Sequence, residues 1–175
     1  MTNTNNKTIQ SALISVYNKG HIDEIAKLLN TLGITIISTG GTKDYIEKTG
    51  INVTPVEELT SYPSILGGRV KTLHPAVFGG ILARRENSED IAQLDEYAIS
   101  GIDLVVVDLY PFEEAVASGA EHQEIIEKID IGGISLIRAA AKNYKDVVVI
   151  SSMQQYDSLI TILKDNKGIT SLDER

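Results

Sequence analysis

The run Gly67-Gly68-Arg69-Val70-Lys71-Thr72-Leu73-His74-Pro75 gathers reactive side chains into one short stretch. Two glycines allow unusual backbone angles and close approach of a ligand. Arg69, Lys71 and Thr72 add two cations and a hydroxyl, and a proline closes the run. No amphipathic period fits, because Arg69 and Lys71 flank Val70 with no apolar face beyond. Such a loop holds an anion or stands in water, and taken alone the solvated turn is the simpler reading.

Other glycine- or proline-bearing turns carry related chemistry. Thr39-Gly40-Gly41-Thr42 joins a strand pattern to a helix pattern. Accessible N–H groups, threonine hydroxyls and a helix N-terminus favour a phosphate there, although an ordinary strand–helix turn has the same composition. The spacing is neither a Walker loop nor a dinucleotide fingerprint. Ser15-Val16-Tyr17-Asn18-Lys19-Gly20 places a lysine beside a glycine, either as counter-charge or as a solvated side chain. Asp130 precedes Ile131-Gly132-Gly133, where a carboxylate caps the next helix or serves as a base at its N-terminus. Tyr110 sits before Pro111 and reads first as a core aromatic. Lys142 ends a helix pattern, where a cation is expected in any case. His74 is a possible base or a structural residue, and the histidines show no metal-ligand spacing.

The elements that must position these residues alternate. Ala12–Val16, Ile34–Ser38, a weaker Asn52–Val56, Leu104–Leu109 and Val147–Ile150 read as strands, their apolar runs suited to burial on both faces. Helix patterns cover Ile22–Leu32, Lys43–Thr49, Val77–Ala83, Glu89–Ile99 with Ser88 as N-cap, Glu114–Ser118, Gln123–Lys128, Ser135–Lys142 and Tyr156–Leu163. The alternation predicts βαβ units and a three-layer α/β fold, a mostly parallel sheet with helices on both faces. Ligands in such sheets bind beyond the carboxyl ends of the strands, where Ser15–Gly20, Thr39–Thr42 and Leu109–Phe112 fall.

With 175 residues, 42% of them hydrophobic, one domain with a proper core is expected. Met1 to Lys7 reads as a disordered arm, with the domain itself assigned to residues 11–175. The polar N-terminus has no signal-peptide core, and no apolar run is long enough to span a membrane. Absent cysteine rules out disulfides and fits a reducing compartment, so a cytoplasmic location is expected. The net charge of −8, with no basic tract, argues against nucleic acid. Cations clustered in the turns of an acidic chain suit a small anionic ligand instead. Ser171-Leu172-Asp173-Glu174-Arg175 has the composition of a helix start with no helix after it, and reads as a fragment boundary.

Taken in order, the turns above, the Leu109-Tyr110-Pro111-Phe112 run and Ser135–Asn143 closely resemble the inosine monophosphate (IMP) cyclohydrolase domain, the N-terminal part of a bifunctional purine biosynthesis enzyme. The resemblance spans Ser11 to Arg175 and implies a methylglyoxal-synthase-like fold. It implies dehydrative ring closure of 5-formamidoimidazole-4-carboxamide ribotide to IMP, without metal or redox cofactor. The folate cofactor belongs to a transformylase domain that is not in this sequence, and family members dimerise. Lys71, Tyr110, Asp130 and Lys142 match the family's catalytic group. Ser15, Lys19, Thr39, Gly40, Gly41 and Thr42 match phosphate and ribose contacts; Arg69, Thr72, Ile131, Gly132 and Gly133 match further contacts. Asp108 stands where the family usually has Asn, and a carboxylate accepts hydrogen bonds without donating them. Two other readings share the fold: methylglyoxal synthase, and a regulatory nucleotide-binding domain that would not need Lys71 with Asp130 and Lys142.

Overall fold

The computed structural model describes residues 5–175. In chain order its elements are β1 (Lys7–Thr8), β2 (Ser11–Val16), α1 (Ile22–Thr31), β3 (Thr35–Ser38), α2 (Gly40–Glu47), β4 (Thr54–Pro55), α3 (Val56–Thr60), α4 (Pro75–Leu82) and α5 (Ser88–Glu96). β5 (Leu104–Asp108), α6 (Phe112–Ala117), α7 (His122–Glu127), α8 (Ile131–Lys142), β6 (Val148–Ile150), α9 (Tyr156–Asp165) and β7 (Ile169–Thr170) follow.

The main sheet has the order β4-β3-β2-β5-β6, and every pairing in it is parallel. Alternate residues of the central strands feed two cores. Ala12, Ile14, Leu104 and Val106 pack with α1, α2 and α9. Leu13, Val105 and Val107 pack with α3, α4 and α8 on the other face. Burial on both faces explains why β2 and β5 are continuous apolar runs rather than alternating ones. From β2 the chain winds outward through β3 to β4, then returns to the far side of β2 as β5. The strand order therefore reverses between β2 and β5, and a crevice opens at their carboxyl ends.

Several boundaries differ from the sequence reading. α2 starts at Gly40 rather than Lys43, and α8 at Ile131 rather than Ser135. Glycines that read as turn residues instead form the first helical turn, whose N–H groups have no partner inside the helix. The third strand shrinks to Thr54–Pro55, and Val56 opens α3 instead. α5 is capped by Asn87, not Ser88: the Asn87 side chain accepts from the Asp90 N–H at 2.9 Å.

The expected arm is structured from Lys7 onward. Lys7 and Thr8 pair antiparallel with Thr170 and Ile169, and Ile9 is buried in the core with α1. The Lys7 ammonium also meets the Asp146 carboxylate at 2.8 Å. Asn5 and Asn6 of that arm are in neither helix nor strand, and Met1–Thr4 lie outside the described residues. Among the described residues no helix is long and apolar enough to cross a membrane.

Candidate active site

The carboxyl ends of β2 and β5 form the floor of the crevice. Beyond β2, Lys19 folds back so that its ammonium donates to the Val16 carbonyl and, at 3.0 Å, to the Tyr17 carbonyl. Burial lowers the pKa of this ammonium from its ordinary value, and the Asp108 carboxylate opposes the shift. Asp108 accepts from the Asn18 N–H at 2.8 Å. An asparagine amide oxygen would accept equally well, so the carboxylate keeps that bond and adds a negative charge acting on Lys19.

Beyond β3, Thr39 takes the N-cap position of α2 but its side chain makes no capping bond. The N–H groups of Gly40 and Gly41 open the helix and point out of its end. The Thr42 hydroxyl is committed to the fold. It donates to the Val16 carbonyl at 3.0 Å and accepts from the Val16 N–H at 3.2 Å, fastening α2 to the end of β2. Its donor is therefore not available to a phosphate.

The basic loop doubles back through Leu66, Gly67 and Gly68, all with left-handed φ (53°, 65° and 86°). An isolated bridge pairs Ile65 with Val70 across the bend. This delivers Arg69, Lys71 and Thr72 to the cleft. The Lys71 ammonium lies 3.3 Å from where a Cβ on Gly40 would stand and 3.5 Å from the same point on Gly68. Gly40 thus backs Lys71 rather than lining the cleft itself. His74 is a structural cap: its Nδ1 accepts from the Ala76 N–H at 3.1 Å and starts α4.

Beyond β5, Tyr110 is not a core aromatic. It is 45% exposed and meets Tyr17 edge to face, with ring centroids 5.4 Å apart. That contact contributes about 0.5–1.5 kcal/mol. At the start of α8, Asp130 caps the helix and also faces the cleft. One carboxylate oxygen accepts from the Gly133 N–H at 2.6 Å. A Cβ on Gly133 would stand 2.5 Å from the other oxygen and 2.8 Å from the Leu109 side chain, so the cap geometry requires glycine here. The Ile131 and Gly132 N–H groups begin α8 and remain as donors. A Cβ on Gly132 would come within 3.0 Å of the Thr72 hydroxyl, so the loop and the helix end are in near contact.

Together these segments enclose a cleft of about 520 Å³. Ser15, Lys19, Thr39, Gly41 and Thr42 line one side; Arg69, Lys71 and Thr72 line another. Asp108, Tyr110, Asp130, Ile131, Gly132 and Gly133 complete the expected set. Lys142 does not join it. It is exposed in the last turn of α8, whereas Asp130 caps the first. The twelve residues of that helix rise about 18 Å. Lys142 therefore stands apart from Lys71, Tyr110 and Asp130, the other three residues of the expected catalytic group.

Three further residues at the cleft are absent from the sequence reading. Tyr17 lines it beside Tyr110, Glu127 pairs with Arg69, and the Lys128 ammonium lies 5.3 Å from the Tyr17 ring centroid and 5.7 Å from that of Tyr110. An aromatic beside the polar turn Asn18-Lys19-Gly20 was the available signal for Tyr17. Glu127 and Lys128 offered none, being charged residues at the end of an exposed helix. Lys19, Arg69, Lys71 and two helix N-termini bring positive charge into the cleft of a chain with net charge −8, set against the carboxylates of Asp108, Glu127 and Asp130.

Known proteins resemble this chain in sequence and fold. The family described as the MGS-like domain matches residues 21–135. The bifunctional purine biosynthesis protein PurH of Bacteroides thetaiotaomicron is 58% identical over 97% of this chain. That of Persephonella marina is 51% identical over 95%. The chain spans about a third of the length of these relatives. The crystal structure of ForH superposes with a TM-score of 0.77 and 35% identity, covering 91% of this chain and 80% of that one. The parallel sheet, the cleft at its switch point and these matches lead to one conclusion: the chain belongs to the MGS-like domain family.

Proposed function

We propose that this chain is an IMP cyclohydrolase, closing the second ring of 5-formamidoimidazole-4-carboxamide ribotide with loss of water. The observation that carries the reading is one cleft lined by Lys71, Tyr110 and Asp130 beside the N–H groups of Ile131 and Gly132. A sensor domain needs the phosphate turn but not this constellation. The relatives' name, purine biosynthesis protein, gives independent support for a purine ribotide as substrate.

The reaction explains the residues. The carboxamide nitrogen is a poor nucleophile and must lose a proton as it attacks the formyl carbon. The free oxygen of Asp130 takes that proton. As the new C–N bond forms, the formyl oxygen becomes an alkoxide. The Ile131 and Gly132 N–H groups, fixed at the start of α8, are preorganised donors for it. That oxygen needs two protons to depart as water: Asp130 returns the one it took and Lys71, with Tyr110, supplies the other, while the former formamide nitrogen gives up its own proton to restore the lysine and complete the ring. Both reacting groups belong to one molecule, so the walls mainly hold the reactive rotamer. Only protons and water move, so the chemistry calls for no redox group. Lys19, the Thr39 hydroxyl and the Gly41 N–H hold the phosphate, and Arg69 and Thr72 hold the remainder of the nucleotide.

Incubating the purified chain with the formamido ribotide and following the ultraviolet absorbance of IMP tests the reading. Formation of IMP at a rate proportional to enzyme supports it. No product, with tight binding of phosphate or of dihydroxyacetone phosphate instead, refutes it in favour of a sensor or a methylglyoxal synthase. The same reading makes the full-length protein a cytoplasmic homodimer, a state that sedimentation of that protein checks.

A further inference from the structure

The end of α7 borders the cleft through Ile126 and Glu127, yet neither helix of the α6–α7 hairpin buries a residue. A segment with so few buried contacts opens easily unless something fastens it. Two adjacent residues at its end reach in different directions. Glu127, held from behind by the Gln123 amide at 3.2 Å, pairs with the Arg69 guanidinium of the basic loop. Lys128 instead lies over the Tyr17 and Tyr110 rings, from the turns after β2 and β5.

We propose that Glu127 and Lys128 form a clasp across the mouth of the cleft. Each is a positioning residue for a group on a separate loop. Glu127 sets the Arg69 fork, whose planar geometry suits two-point contact with an anion or a ribose. Lys128 pins the Tyr17–Tyr110 pair and thereby fixes the Tyr110 hydroxyl. The clasp rests on the ring-closing reading, because Arg69 and Tyr110 are its nucleotide and proton-relay groups. It explains how a loop bent through three left-handed residues and a turn on another strand keep a common geometry without packing on each other.

The test uses the full described chain with Glu127→Gln, Lys128→Met and Lys128→Arg, and with Arg69→Gln as background. In the ligand-free protein, amide exchange quickens in residues 65–73 for E127Q and in 109–112 for K128M. In turnover, E127Q raises KM roughly fivefold, more than it lowers kcat, and adds nothing further in the R69Q background. K128M lowers kcat roughly threefold to fivefold with little change in KM, and K128R restores it. A merely structural loss of the hairpin would move both constants together and would not be rescued by arginine. Unchanged exchange in both segments overturns the clasp whatever the enzyme does, as do additive effects of E127Q and R69Q. Failure of the wild-type chain to form IMP refutes the ring-closing reading instead, and the exchange data still decide the clasp.

Discussion

Gly133→Ala should separate stability from catalysis. Alanine in the first turn of α8 gains about 1 kcal/mol of helix propensity over glycine. The added Cβ would stand 2.5 Å from one Asp130 oxygen and 2.8 Å from the Leu109 side chain. Ordinary contact needs about 3.5 Å, so the carboxylate must retreat by about 1 Å. Retreat breaks its 2.6 Å bond with the residue 133 N–H, which costs about 1 kcal/mol of capping. The two effects nearly cancel, and for a domain this size the melting temperature should move by less than about 4 °C. Turnover should not survive so well. A base displaced by about 1 Å costs on the order of a hundredfold in kcat. Thermal unfolding by circular dichroism and IMP formation by absorbance read the two effects separately. Gly132→Ala is the control: its Cβ would meet only the Thr72 hydroxyl, at 3.0 Å, and that group can rotate away. G133A with kcat within threefold of wild type would refute Asp130 as the positioned base. A fall of more than about 10 °C would show that the strain enters the core through Leu109 instead.

Other perturbations address the remaining groups. Lys71→Ala should lower kcat by roughly a hundredfold or more while IMP still binds in calorimetry; unaltered turnover would remove Lys71 from the mechanism. Lys19→Ala should raise KM roughly tenfold, equivalent to about 1.4 kcal/mol, and an untouched KM would move the phosphate elsewhere. Asp108→Asn keeps the acceptor for the Asn18 N–H and removes a negative charge acting on Lys19; nucleotide affinity should rise a few-fold at low salt and less at high salt. Burial pushes the Asp146 pKa up, but the Lys7 ammonium and the Arg85 N–H outweigh it, leaving the carboxyl below its ordinary 3.8. Its contribution is therefore complete above that value and lost as pH falls through the lower folded value. Amide exchange at Lys7–Thr8 should quicken in that acid range, and Lys7→Met should abolish the pH dependence.

The legible parts of this molecule are those where one physical cause dominates. β2, β3 and β5 are buried on both faces, so their apolar runs leave little choice of element. β1 and β7 are two residues each, polar or half-exposed, and exist only because these two distant segments pair with each other. The glycines opening α2 and α8 read as turns because propensity penalises them, yet at Gly133 the close approach of Asp130 and Leu109 leaves little room for a larger residue. Most of the cleft could be read from turns that share the carboxyl edge of the sheet. Lys142 lies away from the cleft although the resemblance grouped it with the residues there. The helix length alone places it far from Asp130, an argument the sequence already contained. The Tyr17–Tyr110–Lys128 cluster was invisible for another reason: its members come from three connections, and nothing local records that they converge.

The antiparallel pairing of Lys7–Thr8 with Ile169–Thr170 has a practical corollary. It lies at the amino edge of the sheet, so tags or surface tethers attached to this piece beyond either strand would leave the ligand entrance unobstructed. The Arg175 guanidinium donates to the Asn5 carbonyl at 2.6 Å, so in a chain without Met1–Thr4 a short peptide could join Arg175 to Asn5 and new termini could be cut at Gly119–Ala120, between α6 and α7. Such a circular permutant would keep every sheet pairing while freeing the α6–α7 connection at the border of the cleft.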